Sequence, residues 1–109
     1  MKYMLLIYSN GSLVPAEVSA EVDGLIAELA GNGELIGGQA LADPVTARSV
    51  RGTTVTDGPF VESKEYMAGT LIVECDSIDR ATEIALRWPD ARYCGLEVRP
   101  LMDEAGMEM

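Results

Sequence analysis

The residues with the greatest capacity for chemistry surround a turn at Asp57-Gly58-Pro59-Phe60. Glycine accepts backbone torsion angles closed to other residues, proline fixes its own torsion angle, and an aspartate side chain accepts hydrogen bonds from nearby amides. A carboxylate held by such a turn beside an apolar sheet is placed to act as a general base. We predict Asp57 as the catalytic candidate. The alternative is that its carboxylate only accepts backbone hydrogen bonds within the turn.

The other members of the turn are predicted to be structural. Gly58 and Pro59 set the path of the chain, and Phe60, the single phenylalanine of the sequence, is expected to anchor the turn in the core. The turn then directs the charged residues that follow it.

Charged side chains after the turn and near the C-terminus are candidate ligand-binding groups. Glu62 and Lys64 are two residues apart, so on a strand they share one face and form a polar site for an anionic or carbonyl ligand. Arg99 lies in the last predicted strand, where its guanidinium suits a carboxylate. The alternatives are a solvated surface pair for Glu62 and Lys64, and an ion pair between subunits for Arg99.

A pair of glycines, Gly37-Gly38, lies inside a predicted strand. Glycine in a strand marks either a bulge or a place where another group approaches the backbone closely. We include both glycines among the ligand-binding candidates, with a strand bulge as the alternative.

The composition excludes several classes of function. The chain has no histidine, which removes histidine-based triads and ordinary zinc sites, and its two cysteines, Cys75 and Cys94, lack metal-binding spacing. A formal net charge of −10 repels nucleic-acid phosphates. We expect no metal, no cofactor and no nucleic-acid partner.

The length of 109 residues indicates one domain, which we place at residues 1–103, followed by an acidic C-terminal tail at residues 104–109 that we expect to be frayed. No apolar run approaches the roughly 18 residues that span a bilayer. The apolar start resembles an opening strand more than a signal peptide, since no small-residue cleavage site follows it. We therefore expect a cytoplasmic protein with no membrane partner.

Hydrophobic periodicity predicts six strands and two helices. The first helix has apolar residues at helical spacing after Pro15 and ends at Gly31-Asn32-Gly33. Asp76-Ser77 caps the second helix, which stops at Pro89. Its core stripe is predicted to be Ile78, Ala81, Ala85 and Trp88. The predicted strands are residues 2–9, 34–41, 47–51, 53–56, 66–75 and 93–101, of which the third and fourth form a hairpin around Gly52.

This order predicts an α+β fold, a ferredoxin-like βαββαβ arrangement with an extra β-hairpin. Its antiparallel sheet carries two helices on one face. Residues 2–9 are apolar on both faces of their strand, so the face without helices also needs a cover. A second copy of the chain supplies one, which predicts a homodimer with two sheets face to face, a dimeric α+β barrel.

The sequence resembles the YCII-related (DGPF-domain) family of small bacterial proteins, and the resemblance runs from Met1 to about Asp103. The stretches that carry it are Lys2-Tyr3-Met4-Leu5-Leu6-Ile7-Tyr8, Gly37-Gly38 with Leu41, Val55-Thr56-Asp57-Gly58-Pro59-Phe60, Glu62 with Lys64-Glu65, and Glu97-Val98-Arg99-Pro100.

The resemblance implies a dimeric α+β barrel without an established general activity. It leaves two functional classes open. One is a small-molecule site in the inter-sheet cleft of the homodimer, belonging to a cofactor-independent enzyme. The other is a non-catalytic regulatory or protein-interaction module associated with sigma factors of the extracytoplasmic type, beside which family members are often encoded. Wider relatives carry a His-Asp pair as the suspected catalytic centre, and this chain has no histidine.

Overall fold

The computed structural model describes residues 1–11, 15–60 and 64–102. The predicted tail at 104–109 and the candidate Glu62 lie outside these ranges. The six strands within the described ranges are β1 (Lys2–Ser9), β2 (Leu35–Ala40), β3 (Arg48–Arg51), β4 (Thr54–Asp57), β5 (Tyr66–Glu74) and β6 (Leu96–Pro100). The two α-helices of the same ranges are α1 (Glu17–Gly31) and α2 (Ile78–Arg87). Short 3₁₀ turns span Pro44–Thr46 and Pro89–Arg92.

The main sheet has four antiparallel strands in the order β2-β5-β1-β6. This is the strand order of the ferredoxin-like βαββαβ arrangement, and β3 and β4 form a separate two-stranded sheet inserted between β2 and β5. The predicted α+β fold with an extra hairpin is therefore confirmed.

Both helices cover one face of the sheet, as predicted. Alternate residues of the central strand β1 (Tyr3, Leu5 and Ile7) belong to the buried core, together with Leu29 of α1 and Ile84 of α2. Leu5, Leu29 and Ile84 have no exposed surface. The period of two along the strand and of 3.6 along the helices brings these side chains together. Neither helix among the described residues is long and apolar enough to cross a membrane.

The core stripe of α2 differs from the prediction at one position. Ile78, the first residue of the helix, is 45% exposed, whereas Ile84 is fully buried. Ala81, Ile84, Ala85 and Trp88 follow the i, i+3, i+4, i+7 pattern of a helix that packs through one stripe. The helix begins as expected, because the Ser77 side chain accepts a hydrogen bond of 3.2 Å from the amide of Arg80.

Three ion pairs connect α2 and the turn after it to α1 and to Glu34, the residue that precedes β2. The Arg80 Nη2 atom lies 2.6 Å from the Glu34 Oε1 atom, and the Arg87 Nη1 atom lies 2.6 Å from the Glu28 Oε2 atom. Arg92 pairs in the same way with Glu21. The hydrogen bond from Arg80 lowers the pKa of the Glu34 carboxyl below its ordinary value. The stabilisation from this lowered pKa is therefore present above the ordinary pKa of glutamate and is lost as the pH falls.

The β3–β4 hairpin extends away from the core. Gly52 has the positive φ of 56° that its tight turn requires, and the Ser49 hydroxyl donates a 2.7 Å hydrogen bond to the Gly58 carbonyl. Phe60 is 60% exposed, so the prediction that it anchors the turn in the core is wrong. The hairpin is separate from the main sheet, and the Phe60 ring instead contacts the guanidinium of Arg51 at 4.6 Å.

Candidate functional site

A cavity of about 430 Å³ lies between α1 and the β2–β5 strand pair, on the helix-covered face of the sheet. We call it the α1–β5 cavity. Ile7, Leu71 and Trp88, which belong to the core, form part of its wall. Val22, Ile26 and Leu35 also line it. The lining is therefore mostly apolar.

The floor of the cavity consists of small residues on two paired strands. Ala40 of β2 lies opposite Gly69 of β5, and Gly38 and Ala68 line the same region. A Cβ atom added at Gly38 would lie 2.7 Å from the Thr70 carbonyl oxygen, and one added at Gly69 would lie 2.8 Å from that of Gln39. The two backbones thus approach too closely for any side chain at Gly38 or Gly69. The absence of bulk here leaves space beneath α1.

Trp88 closes part of the cavity just after α2 ends. The residue is 5% exposed, and its backbone amide donates a 3.1 Å hydrogen bond to the Ala85 carbonyl. The next residue, Pro89, cannot continue the helix and opens the short 3₁₀ turn instead. The indole Nε1 is buried and has no hydrogen-bond partner within the described ranges. An unpaired buried donor is uncommon, because burial without a partner carries a desolvation cost.

Asp90 supplies a carboxylate at the edge of the cavity. Its backbone carbonyl accepts hydrogen bonds of 2.9 Å from the amides of Tyr93 and Cys94, which fix the turn. Its side chain is half-buried and makes no hydrogen bond or ion pair with the part of the chain that the structure describes. Gln39 and Thr70 are the other polar residues that line the cavity. An unpaired carboxylate beside an apolar wall can orient a bound molecule.

The two glycines predicted as ligand-binding residues both line this cavity. Gly37 and Gly38 follow an irregularity in the β2–β5 register, between Leu35 and Gly37, which is the bulge named as the alternative. The bulge and the contribution to the cavity are therefore compatible. Lys64 is exposed just before β5 and does not line the cavity, and Glu62 lies outside the described residues.

Asp57 and Arg99 lie elsewhere. Asp57 is exposed at the end of β4, opposite Arg48 in the hairpin. Arg99 is exposed on β6, opposite Met4, on the sheet face that has no helices. The structure therefore does not bring Asp57 or Arg99 to the α1–β5 cavity that Gly37 and Gly38 line.

Asp90 is a site residue that the sequence alone does not predict, and Trp88 is predicted from the sequence only to pack against the core. The signal that marks them is local: a tryptophan, a proline that ends a helix and an acidic residue occur in direct succession. A second signal is the presence of small pairs, Gly37-Gly38 and Ala68-Gly69, in two strands that the predicted fold places side by side.

Comparison with known proteins identifies the family. The family model of the YCII-related domain matches residues 1–105. An uncharacterized protein of Rhizobium meliloti (strain 1021) is 31% identical over 114 residues, covering 93% of this chain and 92% of that protein. A solved structure, 5-chloro-2-hydroxyhydroquinone dehydrochlorinase from Burkholderia phenoliruptrix AC1100 in complex with 2,5-dihydroxybenzoquinone, aligns with 99% of this chain and 100% of its own, at a TM-score of 0.47 and 15% identity.

The sequence matches agree with the resemblance inferred from the Asp57-Gly58-Pro59-Phe60 turn and its neighbours. They extend over nearly all of the chain, including both helices and every strand. The chain belongs to the YCII-related domain family.

Proposed function

We propose that this protein binds a small, largely apolar molecule in the α1–β5 cavity. The observation that carries the proposal is the cavity itself, with a volume of about 430 Å³ and walls formed by core residues. Ligand sites in proteins commonly occupy about 300–1,000 Å³ and are mostly apolar with a few polar groups. Asp90 provides such a group here. Gln39 and Thr70 also border the cavity, but they pair with each other and Thr70 pairs with Leu6, so their side chains lie on the helix-free face of the sheet.

Binding is favoured over catalysis at this cavity because it lacks a set of converging charged groups; the inter-sheet cleft predicted for Asp57 and Arg99 is a different site, on the helix-free face of the sheet. Asp57, Lys64 and Arg99 do not line the α1–β5 cavity, and Asp90 is the single ionisable side chain among the described residues that does. We therefore propose ligand binding as the function of this protein, and catalysis by a cofactor-independent enzyme is the second candidate function. An association with an extracytoplasmic-type sigma factor rests on the family resemblance alone.

The neutral fluorescent probe N-phenyl-1-naphthylamine tests the cavity. Val22 lines the cavity from α1, so Val22→Phe is expected to fill part of the space and to weaken probe binding about 10-fold, a loss of about 1.4 kcal/mol. Trp88 is the single tryptophan of the chain, so energy transfer from Trp88 to the probe reports binding, and the blocking variants assign that binding to the cavity.

The matched control is Ala27→Phe. Ala27 is exposed on the same helix and does not line the cavity, so the added ring leaves probe binding unchanged. Ala68→Phe, on the strand side of the cavity, serves as a second blocking variant if Val22→Phe unfolds. Probe binding that neither blocking variant weakens would place the probe elsewhere and overturn the proposal.

We also propose that the chain forms a homodimer through the sheet face that lacks helices. Met4, Leu6 and Ile72 lie on this face and are not part of the helix-covered core. Glu97 and Arg99 are exposed on the same face of β6, two residues apart. A two-fold interface presents the same surface from both subunits, so Glu97 of each copy can pair with Arg99 of the other.

Charge reversal tests this interface. Arg99→Glu replaces the attraction with repulsion and is expected to raise the dimer Kd about 10-fold or more, as measured by sedimentation velocity over a concentration series. The double variant Glu97→Arg/Arg99→Glu restores opposite charges and is expected to restore the dimer. A wild-type protein that sediments as a monomer at micromolar concentration, or a double variant as weak as the single one, would argue against this interface.

A further inference from the structure

The α1–β5 cavity is bordered by negative charge and by no positive charge. The chain has eight lysines and arginines and no histidine, and the residues outside the described ranges contain none of these cations. No lysine or arginine lines the cavity. Three of the arginines, Arg80, Arg87 and Arg92, are held in ion pairs with glutamates. No basic side chain is therefore placed to neutralise an anion in the cavity.

The negative charge is concentrated at the edge formed by Asp90. This residue also borders an adjoining groove of about 460 Å³, which Asp23 of α1 lines as well. The two openings share Val22 and Asp90, so Asp23 lies near the same edge. The chain as a whole carries a formal net charge of −10, which further favours the approach of cations.

Trp88 adds a group that suits a cation. The face of an indole ring attracts ammonium groups more strongly than other aromatic side chains do, and the attraction grows when water is excluded. Trp88 is 5% exposed and lines the cavity together with Asp90, two residues later. An aromatic ring and an unpaired carboxylate in one apolar cavity are the chemistry that recognises an organic ammonium ion.

We propose that the ligand of the α1–β5 cavity is an apolar organic amine, bound with its ammonium group at Asp90 and its apolar part against α1 and the β2–β5 floor. The proposal rests on the proposed function, since it names the class of ligand for the same cavity. A carboxylate ligand would meet Asp90 without a compensating cation. The inferred ligand is thus opposite in charge to the one that Lys64 and Arg99 predict.

Three probes with the same ring test the charge preference: 2-(1-naphthyl)ethylamine, 2-(1-naphthyl)ethanol and 1-naphthaleneacetate. Each competes with N-phenyl-1-naphthylamine in the wild-type protein. The ammonium group can form a charge-assisted hydrogen bond with the partly exposed Asp90 side chain. We therefore expect the amine to displace the probe at a concentration about 10-fold lower than the alcohol does, and we expect 1-naphthaleneacetate to be the weakest competitor. In Asp90→Asn, the advantage of the amine over the alcohol is expected to fall several-fold, to the part that Trp88 alone supplies.

The control variant is Asp79→Asn, an exposed carboxylate on α2 that does not line the cavity, and it is expected to keep the preference for the amine. Equal competition by the amine and the carboxylate in the wild type, or an amine preference of the same size in Asp90→Asn as in the wild type, overturns the charge assignment while cavity binding stands. Failure of the neutral probe to bind overturns the proposed function, and the amine assignment with it.

Discussion

Leu29→Ala is expected to lower the free energy of unfolding by about 2–5 kcal/mol, the range observed when a buried leucine is truncated in a packed core. Leu29 has no exposed surface and lies in the core cluster between α1 and the sheet. Its truncation removes apolar contacts and leaves a space that the neighbouring strands and helices fill only in part. Urea denaturation followed by circular dichroism measures the change.

Leu86→Ala is the matched control, because it makes the same substitution in the other helix. Leu86 is 78% exposed on α2, and its truncation is expected to change the free energy of unfolding by less than about 0.5 kcal/mol. Both variants are compared at one protein concentration, since association couples stability to concentration. Equal losses from the two variants would contradict the placement of α1 over the sheet.

The fold was predictable because its local signals agree with one another. The short, nearly continuous apolar run in residues 2–9, bounded by a turn, and the helical spacing before Gly31-Asn32-Gly33 each favour one element type. Ser77 and Pro89 mark the beginning and the end of α2 in the way their backbone chemistry requires. Since the connections are short, the order of the elements leaves few arrangements of the sheet, and the ferredoxin-like order is the one observed.

The site was harder to predict because it depends on contacts between distant segments. Val22, Gly38 and Trp88 meet only after α1 and the turn following α2 pack onto the β2–β5 pair. In the sequence, Asp90 looks like any acidic residue in a turn after a proline. Phe60 is predicted to be buried because large aromatic residues usually pack into a core, yet it is exposed. The separation of the hairpin from the main sheet decides its position.

Gly38→Ala is expected to lower the free energy of unfolding by about 1–3 kcal/mol, the range for overpacking a close contact. The added methyl group would lie 2.7 Å from the Thr70 carbonyl oxygen, so β2 and β5 must move apart. Backbone atoms in a hydrogen-bonded sheet cannot move aside as a flexible side chain can by rotating. Thermal and urea denaturation measure the loss, and probe binding to the α1–β5 cavity reports whether its floor has shifted.

Gly37→Ala isolates the cause of this effect. The two glycines are adjacent in β2, and an alanine restricts the unfolded chain similarly at either position, by about 0.4–1 kcal/mol in favour of folding where the native backbone accepts it. A Cβ atom at Gly37 would meet nothing within 4 Å. Gly37→Ala should therefore be neutral or slightly stabilising, and the difference between the variants measures the close approach of β2 to β5. Two variants of equal stability would show that this approach does not constrain the chain, and the glycine pair would then reflect the bulge alone.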